Sequence, residues 1–360
     1  MKRVKIFIGI VVLISFTTAA KRPFMEKWMV TTIAGVPHNT GTVKDGTGAS
    51  AVFFGSMGFN AIDAADNLYI LDQLYLRVMD NGSKVTTWFG GESIDENNKT
   101  ITTPPLAGRG GICTDDNGNI YITNHNDHAI YKISADKKVT LFAGQEGYRG
   151  NIDGPRLQAA FKYPRSICRD KSGNMYVADI FSIRKISTDG TVTTLAGEAE
   201  GGDGKFKAGV GKAAVLLEIR GGIAVDSKGN VYVPQNGMGG AIAKISASGD
   251  VSIFAGDLDA VPPDMLNNGT DEQNGTGTTA RFMRINALAV DKEDNLIIAE
   301  ESRVRKATPS GVVTTIAGTV NKDFVDGKQA AFTDIHGISI DSKGNLLVSD
   351  EACIRKISKQ

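Results

Sequence analysis

One short phrase recurs six times along this chain, and that recurrence constrains its fold more than any other feature. VTTIAG from Val30 returns as VTTWFG from Val85, VTLFAG from Val139, VTTLAG from Val192, VSIFAG from Val251 and VTTIAG from Val313. Between the copies lies a second phrase, Asp-x-x-x-Asn followed by alternating apolar residues. Its aspartates are Asp63, Asp115, Asp170, Asp226, Asp291 and Asp341. A third phrase, IRKIS, stands complete at Ile183–Ser187 and Ile354–Ser358, with variants from Leu76, Ile130, Ile242 and Val304. A long fixed period means that one supersecondary unit is copied and that neighbouring copies bury each other's apolar faces.

Each unit resolves into four short strands, a to d. Strand a ends at the Asp. Segments such as Ser172-Gly173-Asn174 are hairpin turns into strand b, IRKIS is strand c, and VTTLAG is strand d. Four antiparallel strands with glycine-rich turns and no helical periodicity make a propeller blade. One face of strand a is nearly all small, as expected where six inner strands converge on an axis; Phe59 and Asn60 break that rule. The first VTTIAG precedes the first strand a, and the last unit stops at IRKIS without a strand d. The expected fold is therefore all-β: a six-bladed β-propeller of four-stranded antiparallel blades, closed by the N-terminal strand completing the last blade. Residues 30–360 would form the propeller, 21–29 a linker and 1–20 a signal peptide.

The pattern GI-x-x-D-x-x-GN-x-YV-x-D…IRKIS, together with a DG…AAF element (Asp153-Gly154 with Ala159-Ala160-Phe161; Asp326-Gly327 with Ala330-Ala331-Phe332), resembles the NHL-repeat propellers over about Val30 to Ser358. The resemblance implies a fold and says little about chemistry.

The signal reading rests on Lys2, Arg3 and Lys5 ahead of the apolar run Ile6–Phe16 and the small residues Thr17-Thr18-Ala19-Ala20. The apolar run is shorter than the roughly 20 residues of a membrane span. These features predict a secreted or periplasmic protein that does not span the membrane. Lys plus Arg and Asp plus Glu both total 40, a balance that argues against a nucleic-acid partner. Nothing in the pattern asks for an oligomer, so a monomer is the default. Cys113 and Cys168 occupy a repeat position filled elsewhere by Ala or Ser, which reads as small buried thiols, and Cys353 looks solitary.

The d–a connections are long and share one face with the b–c turns, so a binding site is expected there, around the axis. A polar residue recurs nine positions after each strand-a aspartate: Asp72, Asn124, Asp179, Gln235, Glu300 and Asp350. Where it is acidic, an arginine follows five residues later (Arg77, Arg184, Arg305, Arg355), and where it is an amide none does. Acid and arginine are gained or lost together, which reads as buried pairing rather than catalysis. The b–c loops of the two exceptional blades carry His125, His128 and Asn236. Just before strand a lie Arg109, Arg165, Arg220 and Arg284, with His336 at the matching place and Asn286 on the strand itself. Guanidinium groups around one mouth suit carboxylate or phosphate recognition, unless loop acids neutralise them. No cofactor is evident. Three histidines permit zinc and the oxygen-rich loop Asp257–Thr279 permits calcium, but neither has metal-site spacing. The leading expectation is an exported, non-catalytic propeller that binds a protein or a surface glycan. The alternative is a hydrolase or lyase with an axial metal, similar to lactonases and amidating lyases that share the resemblance.

Overall fold

The computed structural model describes residues 28–38, 41–55, 57–90, 92–94, 100–102, 110–198, 200–237, 239–259, 274–319 and 322–360. The proposed signal segment and nearly all of the proposed linker lie outside these residues. Six antiparallel sheets are arranged as blades. In blade three, strands a to d are Pro164–Arg169, Met175–Asp179, Ser182–Ile186 and Thr191–Gly197. Blade six takes strands a to c from Ile335–Ile340, Leu346–Asp350 and Cys353–Lys359, and its strand d is Trp28–Gly35 from the other end of the chain. That closing strand pairs from Trp28↔Lys359 to Gly35↔Cys353, so strand begins two residues before the Val30 boundary read from the repeat. Closure leaves no open edge between first and last blades.

Each a–b hairpin is built around its aspartate. In blade three Asp170 Oδ1 accepts the Asn174 backbone N–H at 2.9 Å, and Oδ2 accepts Asn174 Nδ2 at 2.8 Å and Tyr176 Oη at 3.1 Å. The side chain thus replaces backbone partners that a tight turn leaves over, which is why the phrase demands Asp and Asn at this spacing. Strand b is buried throughout and, with strand a's Ile112, Ile167, Ile223, Leu288 and Ile338, fills the interfaces between blades.

Four blades carry a fifth, two-residue strand that the phrase analysis did not anticipate: Gly46–Thr47, Gly154–Pro155, Gly209–Val210 and Gly275–Thr276. Each pairs outside strand d of its blade. The long d–a connection therefore runs to the outer edge of the next blade, turns, and returns along the AAF element to the axis. It is a strap, and the acid–arginine pair fastens it. In blade three Arg184 lies 3.4 Å from Asp179, both side chains fully buried. The same guanidinium donates to Ala160 O (2.9 Å), Ile152 O (2.9 Å) and Asp153 Oδ1 (2.7 Å) on the strap, and stacks 5.1 Å from the Phe161 ring. Asp179 in turn accepts the strap's Lys162 and Tyr163 N–H groups. Blades one and six repeat the arrangement around Arg77–Asp72 at 3.3 Å and Arg355–Asp350 at 2.8 Å. In blade five Glu300 pairs with Arg305 at 3.2 Å and also with buried Arg303 at 2.9 Å.

The pairing read from the sequence is thus present, and it has more members than acid and arginine. Blade four lacks the whole set: Gln235, Ala243, Leu216 and Ala208 stand where blades one, three, five and six place acid, arginine, phenylalanine and the DG aspartate or asparagine. There the Gln235 amide oxygen alone accepts the strap, from Leu217 N–H at 2.7 Å. Cys113, Cys168 and Cys353 are free thiols, and burial pushes those of Cys113 and Cys353 up to about 12, far from reactivity.

Burial also pushes the Asp72 carboxyl from 3.8 up to about 6, outweighing the Phe54 N–H groups and Arg77 that pull it down. A raised folded-state pKa stabilises below the unfolded value and is lost as pH rises through the folded one. Wild type should therefore lose up to about 3 kcal/mol between the ordinary value of 3.8 and about 6 that Asp72→Asn does not lose. Urea unfolding of both proteins across that window measures the difference in slope.

Candidate functional site

At the axis, on the face of the d–a and b–c connections, lies a cavity of about 480 Å³. All six blades line it: Met57, Phe59, Leu71, Gln73 and Leu74 from blade one, His125 from blade two, Arg165 from three, Arg220 from four, Arg284 and Asn286 from five, and His336 from six. Its floor is Phe59, which also borders a second space of about 290 Å³ reaching the opposite face along the axis. The ring crosses from blade one towards blade four, where a Cβ on Gly222 would lie 3.0 Å from Phe59 Cε1. The exception to the small-residue rule is thus a plug, and Gly222 is the glycine that admits it. Asn60, the next exception, is structural: its Nδ2 donates to Ser349 Oγ at 2.8 Å and its Oδ1 accepts from Ser339 Oγ at 2.6 Å.

Six of the candidate residues singled out in sequence meet on this cavity: Arg165, Arg220, Arg284, Asn286, His336 and His125. Arg109 lies outside the described residues. His128 is elsewhere, packed edge-on against Tyr163 at 5.3 Å. Asn236 lines a neighbouring groove, and both ends of its amide are used on the Ile285 backbone, at 3.0 and 3.1 Å, stitching blade four to blade five. Asn286 likewise donates Nδ2 to Ile335 O at 2.7 Å, joining blades five and six at the axis.

The arginines are partly neutralised by loop acids that the sequence pattern did not single out. Glu218 lies 3.1 Å from Arg165 and 2.7 Å from Arg220. Glu301 lies 3.6 Å from Arg284 and 2.9 Å from Lys322. His336 Nε2 is 3.0 Å from Asp334. Burial raises the Asp334 pKa, but the His336 contact and the charges of Lys322 and Arg284 overcome it and hold the carboxylate below its usual range. Burial, then the charges of Arg165 and His128, hold His125 below the ordinary imidazole value, which keeps it neutral at pH 7. The mouth therefore offers several guanidiniums, a neutral imidazole and an amide over an apolar floor, chemistry that suits an anionic or hydroxyl-rich ligand.

The fit to a metal is poor. Among the described residues no group of three or more His, Cys, Asp or Glu side chains is placed to hold one. His38 sits 3.0 Å from Glu351. Of the oxygen-rich loop, residues 260–273 lie outside the described set, while Asp257 lies 3.5 Å from Arg281.

No family model matches the chain. Solved structures do share its fold. A Bacteroides thetaiotaomicron protein of unknown function superposes with a TM-score of 0.67 at 18% identity, covering 93% of this chain and 76% of that one. An auxiliary nutrient binding protein from the same organism gives 0.64 at 17% identity, covering 92% and 76%. A gluconolactonase from Xanthomonas campestris gives 0.56 at 13% identity, covering 85% and 86%. At these identities the likeness speaks for fold alone.

If Phe59 and Gly222 are matched as plug and slot, Gly222→Ala should destabilise wild type by about 1–3 kcal/mol through overpacking. The same change in a Phe59→Leu background should cost at least 1 kcal/mol less, as the ring it meets is gone. A double-mutant cycle by urea unfolding gives the coupling; additive losses would place the ring elsewhere.

Proposed function

We propose that this chain is an exported binding propeller of NHL type that holds a ligand of sugar size in its axial mouth. One observation carries the reading: all six blades converge on a cavity of about 480 Å³ that Phe59 closes from below. That volume falls in the range of about 300–1,000 Å³ found for small-molecule sites. A protein partner would need roughly 800 Å² of matched surface on each side, and nothing among the described residues of this face argues for it. Within the earlier choice of protein or surface glycan, the cavity favours a glycan or other small polar ligand.

Two further considerations support binding over turnover. The Asn60 amide oxygen already accepts from Ser339 Oγ, and His336 is engaged with Asp334. A metal-assisted hydrolase or lyase needs those positions open for ligation. The fold is also shared with an auxiliary nutrient binding protein, whose name agrees with a binding role. The basic start, apolar run and small-residue segment of residues 1–20 support export, and among the described residues no helix is long and apolar enough to cross a membrane.

Calorimetric titration of the purified protein with mono- and disaccharides and small carboxylates should find at least one ligand. Arg220→Ala should weaken it about tenfold or more, roughly 1.4 kcal/mol. A ligand whose affinity ignores Arg220→Ala and Asn286→Ala but responds to changes on the a–b face would contradict the assignment. Protein recovered from its native host should begin at about residue 21; an intact residue 1 would remove the export claim.

A further inference from the structure

The axial cavity has a neighbour. A groove of about 520 Å³ lies between blades four and five, lined by Glu218, Asn236, Gly237, Gly239, Phe282 and Met283 among others. It shares Arg220 and Arg284 with the axial cavity, so the two spaces meet at a pair of guanidiniums. We propose that they form one two-compartment site for an acidic oligosaccharide: one sugar sits in the axial cavity, the next lies in the groove, and a carboxylate is held between Arg220 and Arg284. This rests on the reading of the axial mouth as a sugar-sized site and adds the ligand's charge, its length and its direction.

The groove exists because blade four departs from the repeat. Other blades bring side chains to the b–c turn, such as Gln73 and Leu74, Ile180 and Phe181, or Glu351. Blade four offers Gly237, Gly239 and Gly240, with Met238 among them outside the described residues. A Cβ on Gly240 would lie 2.5 Å from Met283 O, so this hairpin rests directly on blade five and serves as the wall of the groove. A Cβ on Gly237 would touch Leu258 O at 3.4 Å and Leu217 Cδ1 at 3.5 Å, residues of the adjoining space rather than of the groove. Asn236, bonded at both ends to Ile285, locks the hairpin in this position without needing a ligand. The compartment is therefore preformed.

Charge selects the ligand. Arg165, Arg220, Arg284 and Lys322 face Glu218, Glu301 and Asp334, and His336 already occupies the last of these acids. Exposure matters more than the count. The Arg220 and Arg284 side chains are 60% and 58% exposed, while their partners Glu218 and Glu301 are 29% and 19% exposed. A ligand entering the junction meets guanidinium edges before it meets carboxylates. Their planar donor pairs suit a carboxylate. The apolar floor at Phe59 suits the C–H face of a sugar ring, and the preorganised walls keep the ordering cost low. A peptide is the weaker fit, because the groove presents no unpaired strand edge for main-chain bonding.

The test is calorimetry of the full protein against galacturonate, guluronate and glucuronate monosaccharides, their trimers, neutral trimers of the same linkage, and a glutamate tripeptide. At least one acidic trimer should bind tenfold or more tighter than both its own monosaccharide and its neutral counterpart. Arg284→Gln should weaken that trimer tenfold or more. Met283→Trp, which enlarges a side chain that lines the groove but not the axial cavity, should return the trimer to the affinity of the monosaccharide and leave the monosaccharide unchanged. Melting curves should show both variants folded. If monosaccharides bind but trimers gain nothing, or neutral trimers bind as well, the two-compartment acidic site is wrong while the axial reading stands. If the tripeptide binds better than every saccharide, or no saccharide binds, the proposal is overturned.

Discussion

A buried carboxylate facing a buried arginine is the contact on which this propeller's outer architecture hangs. Taken alone, such a pair adds little net stability, because desolvating two charges cancels much of their attraction. Its consequence here is geometric. One guanidinium on strand c reaches two strap carbonyls, an Asp or Asn side chain at the strap's start and an aromatic face, while its acid collects the strap's N–H groups. Remove the arginine and the acid is left buried and charged, while the strap's carbonyls lose their donor. Each of the four blades that carries the pair thereby becomes cooperative with the connection that precedes it.

This division of labour explains why the long connections are poor guides to function. Their length serves the journey to the blade edge and back, and most of it is consumed by an added edge strand, a short turn and the AAF element. What is left for recognition is the innermost stretch, where each strap turns into strand a. There the repeat relaxes, and arginines, histidines, an asparagine and Phe59 meet at the axis. The two amide-bearing blades relax further, and blade four does so in every member of its fastening set at once.

Much of the fold was legible because repetition compares a sequence with itself. The six blades, the hairpin aspartates and the strand exchange at closure all follow from aligned copies. So does the pairing of Asp179 with Arg184. The fifth strand was missed because two residues such as Gly154-Pro155 carry no alternation to detect. Three fastening partners were missed although the signal was present: Phe161, Asp153 and Thr194 are kept or lost together with Arg184 across the blades, just as the acid is. Sites were harder. Arg165, Arg220, Asn286, His336 and His125 were placed on one mouth by topology alone, yet Asn236 proved to be a stitch and His128 a packing residue. The acids beside the arginines, Glu218 and Glu301, stand in loops with no periodic frame. Phe59 was visible only as an anomaly; its reach across the axis to Gly222 is a tertiary fact.

The central claim is that each acid–arginine pair fastens its own strap, leaving the residues that depart from the repeat to form the site. Hydrogen exchange on Arg184→Met measures this most directly. The account predicts faster exchange at the Lys162, Tyr163, Ile152 and Ala160 amides of blade three, by tenfold or more, with the Leu217 amide of blade four and the Thr333 and Asp334 amides of blade six unchanged. Unchanged protection on the blade-three strap, or an equal loss in all six blades, would contradict it.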